Sequence, residues 1–323
     1  MKVPEVSLLA PAKDERDSLP KFFAEISEAM AGQHREWELL IVDDGSTDDS
    51  WQVIAEHAAL DPRIRGIRLR RNFGKAAALA AGVSELRGEL MVTLDADLQD
   101  DPSEIPRLLA ELDSGADLVS GHKAHRKDPL GKRLPSKVFN WVTGLITGLR
   151  LSDHNCGLKA ARTEVYRRVP LYGELHRYIP ALAHQLGYRV VERTVNHRAR
   201  QHGTSKYGLE RYARGALDLL TVMALTRYGR RPAHLFGGLG MVAGTLGTLV
   251  LLYLTGVWLF TEESIGTRPL LTLGILLEIF GVQMISLGLL AELVLHRTGR
   301  DHDVTVLVAD TTPGTSNSEQ HAS

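Results

Sequence analysis

The stretch Leu90-Met-Val-Thr-Leu-Asp95-Ala-Asp97-Leu-Gln99-Asp-Asp101-Pro102 decides how this chain is read. Leu90 to Leu94 is an apolar run of the length expected for a buried strand, and it opens directly into oxygen-bearing side chains at alternating positions, Asp95, Asp97 and Gln99. Carboxylates at the mouth of a buried strand repel one another and are costly to desolvate. A divalent cation among them removes that cost, because hard oxygen ligands suit Mg²⁺ or Mn²⁺ and leave coordination positions for substrate phosphates. The plainer reading is a solvated strand end before a helix capped by Asp101, with Pro102 at its first position. That cap accounts for Asp101 and Pro102 and leaves Asp95, Asp97 and Gln99 unexplained. A D-x-D pair alone is a weak motif, so its neighbours must decide.

Working outward, Val6 to Ala10 reads as a first strand closed by Pro11. Ser18 then caps a helix whose Leu19, Phe22, Phe23, Ile26 and Met30 share one face. Leu39 to Val42 is a second strand running into Asp43-Asp44-Gly45-Ser46-Thr47-Asp48, and Trp51, Ile54, Ala55 and Ala58 continue as an amphipathic helix. Ile64 to Leu69 is a third strand, followed by Arg71-Asn72-Phe73-Gly74-Lys75 and an alanine-rich helix to about Leu86. After the central strand come the Pro102 helix, with Ile105, Leu108, Leu109 and Leu112 on one face, and a strand over Asp117 to Ser120. Strands alternating with helices imply a largely parallel sheet covered on both faces. Ligands of such sheets bind outside the carboxyl ends of the strands. The polar clusters at Asp43, Asn72 and Asp95 all follow strand ends and are therefore expected on one rim.

The remainder of the chain sets bounds. With 323 residues there is room for a full α/β domain and more, and a formal net charge of −1 gives no global field for nucleic acid. The single cysteine, Cys156, excludes an internal disulfide framework and fits a reducing compartment. Met1 to Glu15 contains no long apolar run of the secretory type. His122 and His125 lack a partner set for zinc. Val138 to Leu151 is apolar but too short to span a bilayer, which makes it a core or interfacial helix. Ser152 to Lys159 reads as a polar turn leading into another helix, and Asn196 to Tyr207 as a basic loop.

Two stretches, about 235–260 and 270–295, are almost continuously apolar, each longer than the about 20 residues that cross a hydrocarbon core. Arg227, Arg230 and Arg231 precede the first and Arg297 and Arg300 follow the second, whereas the loop between carries Glu262, Glu263 and one arginine, Arg268. The positive-inside rule then puts both termini and the N-terminal domain in the cytoplasm, on the inner membrane. Gly238-Leu-Gly240-Met-Val-Ala243 imitates a dinucleotide fingerprint but lies within a span with no strand before it. Gly240 and Gly244 form a small-xxx-small pair suited to helix packing, and Glu278 and Gln283 in the second span point to a protein-facing surface and a homo-oligomer. The expected organisation is a domain over 1–207, a juxtamembrane amphipathic helix over 208–232, two transmembrane helices within 233–298, and a polar, partly disordered tail over 299–323.

Pro11-x-x-x-Glu15, Val42-Asp43-Asp44-Gly45-Ser46-Thr47-Asp48, Asn72-Phe73-Gly74-Lys75, Asp95-Ala96-Asp97-Leu98-Gln99 and Arg200-x-x-Gly203-x-Ser205-Lys206-Tyr207 occur in this order. Together they resemble the family 2 glycosyltransferases, and more narrowly the polyprenyl-phosphate sugar transferases related to dolichyl-phosphate mannose synthase. The resemblance covers about 1 to 230, and the paired spans match its bacterial two-span branch. It implies an α/β GT-A (Rossmann-like) fold and inverting transfer of a sugar from a nucleotide sugar to a polyprenyl phosphate, undecaprenyl phosphate being the expected lipid, for cell-envelope glycans. It further implies that Pro11, Lys13, Glu15, Val42, Asp44 and Lys75 hold the nucleotide sugar with Asp95, Ala96 and Asp97 facing its diphosphate. Asp95, Asp97 and Gln99 would form the Mg²⁺ or Mn²⁺ set. Lys123, Arg126, Arg133, Ser136, Arg200, Ser205 and Lys206 would bind phosphate and acceptor. Asp97 and Asp153 are the expected catalytic carboxylates, Asp153 as base or sugar-orienting group, against its plainer reading as a helix cap.

Two departures matter. Lys13 stands where many relatives carry tyrosine, which leaves UDP against GDP open, and Lys123 stands where arginine is frequent, which removes bidentate contact with phosphate. Two rival readings remain. One is a family 2 enzyme with a non-lipid or growing-glycan acceptor, although the Gln-x-x-Arg-Trp run of processive synthases is absent. The other is a silent nucleotide-sugar-binding membrane scaffold.

Overall fold

The computed structural model describes residues 3–123, 140, 143–145, 147–198, 232–261, 264, 266 and 268–298. The chain divides into two compact units, Met1–Val222 and Met223–Ser323. The division falls within 208–232, the expected juxtamembrane helix, of which all but Pro232 lies outside the described residues, as does the expected tail.

The first unit is built on a seven-stranded sheet of order β3-β2-β1-β4-β6-β5-β7. Its strands are β1 (Val6–Ala12), β2 (Trp37–Asp43), β3 (Ile64–Arg68), β4 (Leu90–Thr93), β5 (Leu118–His122), β6 (Lys159–Arg162) and β7 (Val190–Thr194). Strands β3, β2, β1 and β4 are mutually parallel, and β5 is parallel to β7. The inner strands β1, β2 and β4 bury both faces, so successive residues feed two separate cores, while the edge strands β3 and β7 are only partly covered. Val6, Leu8 and Ala10 enter one core with Leu39, Ile41, Val92 and Leu94, while Leu9, Leu40, Val42 and Met91 enter the other.

The first core is closed by α1 (Leu19–Ala31), α2 (Ser50–Leu60) and α4 (Ile105–Asp113). The α1 residues Leu19, Phe22, Phe23, Ile26 and Met30 recur at helical spacing and are all buried, each contributing roughly 1.5–3 kcal/mol of transfer free energy. The second core is closed by α3 (Lys75–Glu85), α5 (Thr163–Arg168) and α6 (Ile179–Gln185).

Several local expectations change. Pro11 does not end β1, which continues to Ala12 alongside Asp43. Ser18 stands at the N-terminus of α1 without accepting a capping bond. Its hydroxyl donates instead to the Glu15 carboxylate at 2.6 Å. Asp101 does cap, accepting from the Ser103 N–H at 3.1 Å, with Pro102 opening a 3₁₀ turn (Pro102–Glu104) ahead of α4. The turn after Ser152 leads first into β6 rather than a helix, and β6 lies antiparallel between β4 and β5. Its Lys-Ala-Ala-Arg sequence has no apolar period to announce a strand; two alanines, one facing each core, suffice where neighbours already surround it.

The second unit contains two helices long and apolar enough to cross a membrane, α7 (Pro232–Thr261) and α8 (Pro269–Thr298). They pack closely through small residues. A Cβ on Gly240 would lie 2.6 Å from the Gly281 carbonyl, and one on Gly247 would lie 3.0 Å from the Gly274 carbonyl. Gly240 and Gly247 on one helix, and Gly274, Gly281 and Gly288 on the other, are seven residues apart, the period of a left-handed antiparallel seam. Glu278 faces this seam, accepting a hydrogen bond from the Thr248 hydroxyl at 2.5 Å.

Candidate active site

The strand order reverses between β1 and β4, and in open α/β sheets that crevice, outside the carboxyl ends of the strands, is where ligands bind. Pro11 from β1 and Asp95 from just beyond β4 line a pocket there. The antiparallel β6 adds to the same rim. Its register sets Lys159 opposite both Thr93 and Ser120, so the Ser152–Lys159 turn arrives beside the ends of β4 and β5.

On the β1–β2 side, three loops are pinned together. Lys13 donates to the Gly45 carbonyl at 2.9 Å, and the Glu15 N–H donates to the Ser50 hydroxyl at 2.8 Å. The buried Asp44 carboxylate accepts from the Phe73 N–H at 2.7 Å and the Gly74 N–H at 2.9 Å. Asp44 is thus the anchor of the Asn72–Lys75 loop. Gly45 makes the approach possible: its φ is +65°, and any Cβ there would stand 2.4 Å from the Arg71 carbonyl carbon.

Lys75, the first residue of α3, reaches across to form an ion pair with Asp95. Burial pushes the Asp95 carboxyl up, but the Lys75 ammonium, with Lys123 and Lys159 farther off, outweighs burial and holds it below the ordinary range. Burial likewise lowers Lys75, and Asp95 more than restores it. A second pair lies behind the first, with Lys123 Nζ 3.3 Å from Asp100 Oδ1, while Asp100 Oδ2 accepts from the Asp95 N–H at 3.2 Å. Gly157 packs against both carboxylates. A Cβ at that position would come 2.7 Å from Asp100 Oδ2 and 2.8 Å from Asp95 Oδ2.

Between Asp95 and Gln99 the chain alternates, with Ala96 and Leu98 buried in the first core and Asp95, Asp97 and Gln99 partly exposed. Leu98 adopts a left-handed conformation, φ 63°, which is strained for a branched side chain and is the kind of outlier that collects at functional sites. The turn brings Asp97 and Gln99 together: the Gln99 amide donates to Asp97 Oδ2 at 2.6 Å and its N–H to Oδ1 at 3.2 Å. Among the described residues no group of three or more His, Cys, Asp or Glu side chains is placed to hold a cation unaided. The donor set, one outward carboxylate with an amide and a second carboxylate nearby, fits a Mg²⁺ or Mn²⁺ ion that takes its remaining oxygens from a diphosphate and water. Asp97 and Gln99 would hold such an ion, with Asp95 behind them.

Asp153 is buried and belongs to the Ser152–Lys159 turn. Its N–H donates to the Glu192 carboxylate at 3.0 Å, and its own Oδ1 accepts from the Asn155 N–H at 3.1 Å. A turn and a strand follow it, so it caps no helix. Sequence reasoning overlooked Glu192 on the edge strand β7, which fixes this turn, and His197 and Arg198. Residue 197 bridges to Asp100, and the Arg198 N–H donates to the Gln99 carbonyl at 2.9 Å. Arg198 also pairs with Glu25 and Asp101. The start of the basic 196–207 stretch therefore docks beside the Asp-x-Asp segment. The signal was there in its neighbouring Arg and His residues, but nothing local announced the pairing. Arg126, Arg133, Ser136, Arg200, Ser205 and Lys206 lie outside the described residues.

Comparison with known proteins matches residues 7–172 to the description "Glycosyl transferase family 2", about half of the chain. The chain is a family 2 glycosyltransferase. Over 302 residues it is 41% identical to a dodecaprenyl-phosphate galacturonate synthase of Rhizobium johnstonii, spanning 92% of this chain and 89% of that protein. It is 34% identical over 294 residues to an undecaprenyl-phosphate 4-deoxy-4-formamido-L-arabinose transferase of Klebsiella pneumoniae, spanning 90% and 88%. Among solved structures, the fold resembles glucosyl-3-phosphoglycerate synthase of Mycobacterium tuberculosis, crystallised with Mn²⁺, UDP and phosphoglyceric acid. That match has TM-score 0.53 at 21% identity and covers 70% of this chain and 79% of the other. It also resembles mannosyl-3-phosphoglycerate synthase of Rubrobacter xylanophilus, with TM-score 0.55 at 18% identity, covering 70% and 76%. The sheet is that of a GT-A glycosyltransferase, as the family resemblance implied, and this glycosyltransferase ends in two helices of membrane-span length.

Proposed function

We propose that this glycosyltransferase moves one sugar, with inversion, from a nucleotide sugar to a polyprenyl phosphate at the cytoplasmic face of the inner membrane. The observation that carries this reading is the joining, on one rim, of the Asp97–Gln99 pair with the Lys75–Asp95 and Lys123–Asp100 ion pairs. Such a rim suits a diphosphate leaving group. Membrane-span helices in the same chain, and relatives named for polyprenyl phosphates, support a lipid acceptor. UDP is favoured as the donor nucleotide by the structural neighbour that contains it.

The chemistry follows from charge. A phosphate monoester has a second pKa near 6, so at pH 7 the lipid nucleophile is already mostly ionised and needs little help from a base. Bringing two anions into line is the harder task. A bound Mg²⁺ or Mn²⁺ would neutralise the leaving diphosphate. Asp97 and Gln99 orient that end of the site, Lys75 keeps Asp95 ionised and fixed, and Asp44 fixes the loop that carries Lys75. Asp153 orients the turn against the sugar side of the crevice. Lys123, Arg126, Arg133, Ser136, Arg200, Ser205 and Lys206 bind the acceptor phosphate, and Pro11, Lys13, Glu15, Val42 and Asp44 form the nucleotide side. Both termini are cytoplasmic.

The relatives differ in the sugar they are named for. Galacturonate bears a carboxylate, and 4-deoxy-4-formamido-L-arabinose bears none. The test is transfer of label from a panel of radiolabelled UDP- and GDP-sugars into solvent-extractable lipid by the purified full chain with undecaprenyl phosphate. Transfer from one donor that is lost with EDTA and with Asp97→Ala supports the reading. Failure of every donor, beside a working control enzyme on the same lipid, refutes it.

A further inference from the structure

The turn that carries Asp97 and Gln99 is held by a short segment to which neither the nucleotide side nor the acceptor side of the proposed reaction gives a role. Beyond β7 the chain leaves the sheet edge and crosses this turn. The Val195 N–H donates to the His122 carbonyl at 3.0 Å, and the Asn196 N–H donates to the Glu104 carboxylate at 3.1 Å. Residue 197 then bridges to Asp100, and the Arg198 N–H donates to the Gln99 carbonyl at 2.9 Å. Side chains close the same join. The Asp101 carboxylate, already the cap for Ser103, accepts from the Asn196 amide at 2.9 Å and from the Arg198 guanidinium at 2.9 Å. A second nitrogen of that guanidinium donates to the Glu25 carboxylate of α1 at 2.7 Å. Arg198 thus ties the Gln99 backbone to a helix that lies 173 residues earlier in the chain.

This clasp matters more for the geometry of the turn than for the stability of the domain. The Arg198 and Glu25 side chains are 31% and 18% exposed, and ion pairs that water reaches add little to stability. Leu98, by contrast, has φ 63° while its side chain is buried in the first core. A branched residue in the left-handed region is strained, and such a conformation persists only where its surroundings over-determine it. Core burial fixes the Leu98 side chain, and the bond from Arg198 fixes the backbone of the next residue. With that bond released, the Leu98–Gln99 peptide can relax towards an ordinary φ, and the Gln99 amide then leaves Asp97 Oδ2, which it now meets at 2.6 Å.

We propose that Arg198 is a positioning residue of the cation site: by joining Glu25 to Asp101 it fixes its own N–H on the Gln99 carbonyl, and so holds Asp97 and Gln99 in the arrangement that takes Mg²⁺ or Mn²⁺. The inference rests on the cation reading above and adds to it a residue that sets the affinity for the ion. The guanidinium is committed to two carboxylates, so its effect reaches the ion through the backbone of the turn. Groups that orient metal ligands without binding the metal themselves typically change affinity by about 10–100-fold when they are removed.

The test measures Mn²⁺ binding directly, from the loss of the free-ion paramagnetic resonance signal, on the full chain in detergent with saturating UDP. Arg198→Met is expected to weaken Mn²⁺ binding by about 10-fold or more. Arg198→Lys should recover part of that loss, because an ammonium keeps one ion pair but cannot bridge two carboxylates as a planar fork does. Glu25→Gln removes one of the two anchors from the side of α1. It should weaken Mn²⁺ in the same direction by a smaller factor, which covers the case in which Arg198→Met fails to fold. In turnover, the Mn²⁺ concentration giving half the maximal rate should rise in step with the binding constant, and excess Mn²⁺ should restore most of kcat. An unchanged Mn²⁺ affinity in folded Arg198→Met and Glu25→Gln overturns the inference while leaving the cation site standing. A fall in kcat at every Mn²⁺ concentration with the midpoint unmoved also overturns it, since the clasp is then structural only. A wild type that holds no more Mn²⁺ than Asp97→Ala overturns the cation reading itself, and this inference with it.

Discussion

Asp44 holds the backbone N–H groups of Phe73 and Gly74 at 2.7 and 2.9 Å, so a carboxylate at the end of β2 fixes the loop from which Lys75 reaches Asp95. The link runs through three consecutive residues, Phe73, Gly74 and Lys75, and its strength comes from an ionised acceptor meeting two amides away from water. Asp44→Asn keeps the shape but replaces one acceptor oxygen with a donor that faces an N–H. The expected cost is about 1–3 kcal/mol of stability together with a fall in kcat of at least roughly tenfold, because the Lys75–Asp95 geometry loosens. Thermal denaturation and steady-state kinetics on the same preparation check this. A normal kcat in the variant would separate Asp44 from the Lys75 loop.

Gly157 offers a sharper probe of the same rim. Its Cβ-less backbone lies against Asp95 and Asp100, and an added methyl would come within 2.8 Å of both carboxylates. Gly157→Ala should therefore displace Asp95 and lower kcat/KM by roughly tenfold or more, with a stability loss near the 1–3 kcal/mol typical of overpacking. Kinetics beside a melting curve read the two effects separately, and unchanged activity would mean that the Asp95 position tolerates movement.

His154 predicts a pH dependence. The side chain is fully buried, neither ring nitrogen has a hydrogen-bond partner among the described residues, and burial pushes its pKa down from 6.5 to about 4. The unfolded chain binds the proton more readily, so the stabilising contribution is complete above pH 6.5 and is lost as the pH falls from there towards 4. The limiting size of that loss is roughly 3 kcal/mol. In His154→Phe, melting temperatures measured from pH 7.5 to 4.5 should decline less steeply than in the wild type. Parallel curves would assign the acid sensitivity elsewhere, His176 being the next group of this kind.

The glycine seam of the second unit predicts a contrast between two identical substitutions. A methyl on Gly281 would meet the Gly240 carbonyl at 2.8 Å and the Gly244 nitrogen at 3.0 Å, whereas nothing lies within 4 Å of a methyl on Gly256. Gly281→Ala should destabilise the helix pair by about 1–3 kcal/mol, and Gly256→Ala should be neutral or slightly stabilising through helix propensity. Thermal denaturation of the full chain in detergent distinguishes them. Equal melting curves would remove the seam as the packing surface.

The amino-acid sequence by itself determined whatever depends on short-range pattern. Short continuous apolar runs marked β1 to β5, and the 3.6-residue spacing of apolar residues marked helices α1 to α4. Two long apolar stretches marked α7 and α8, and the ordered motifs around Asp44, Lys75 and Asp95 marked the family. These signals are local because burial of one face, capping and strand-end chemistry act over a few residues. Tertiary structure alone decided which charges meet. The antiparallel insertion of Lys159–Arg162 has no periodic signature, because a four-residue strand enclosed by its neighbours needs only small residues to fit. That insertion carries Lys159 and Gly157 to the rim, where the buried Lys159 ammonium lies in the field of Asp95 and Asp153. The pairing of Lys75 with Asp95, the hold of Asp44 on the Phe73 loop, and the docking of His197 beside Asp100 join residues 20, 29 and 97 positions apart. No local free-energy term encodes such contacts. They exist because the sheet order brings the ends of β1, β2, β4 and β6 to one edge, where burial makes each unpaired charge costly and so fixes its partner.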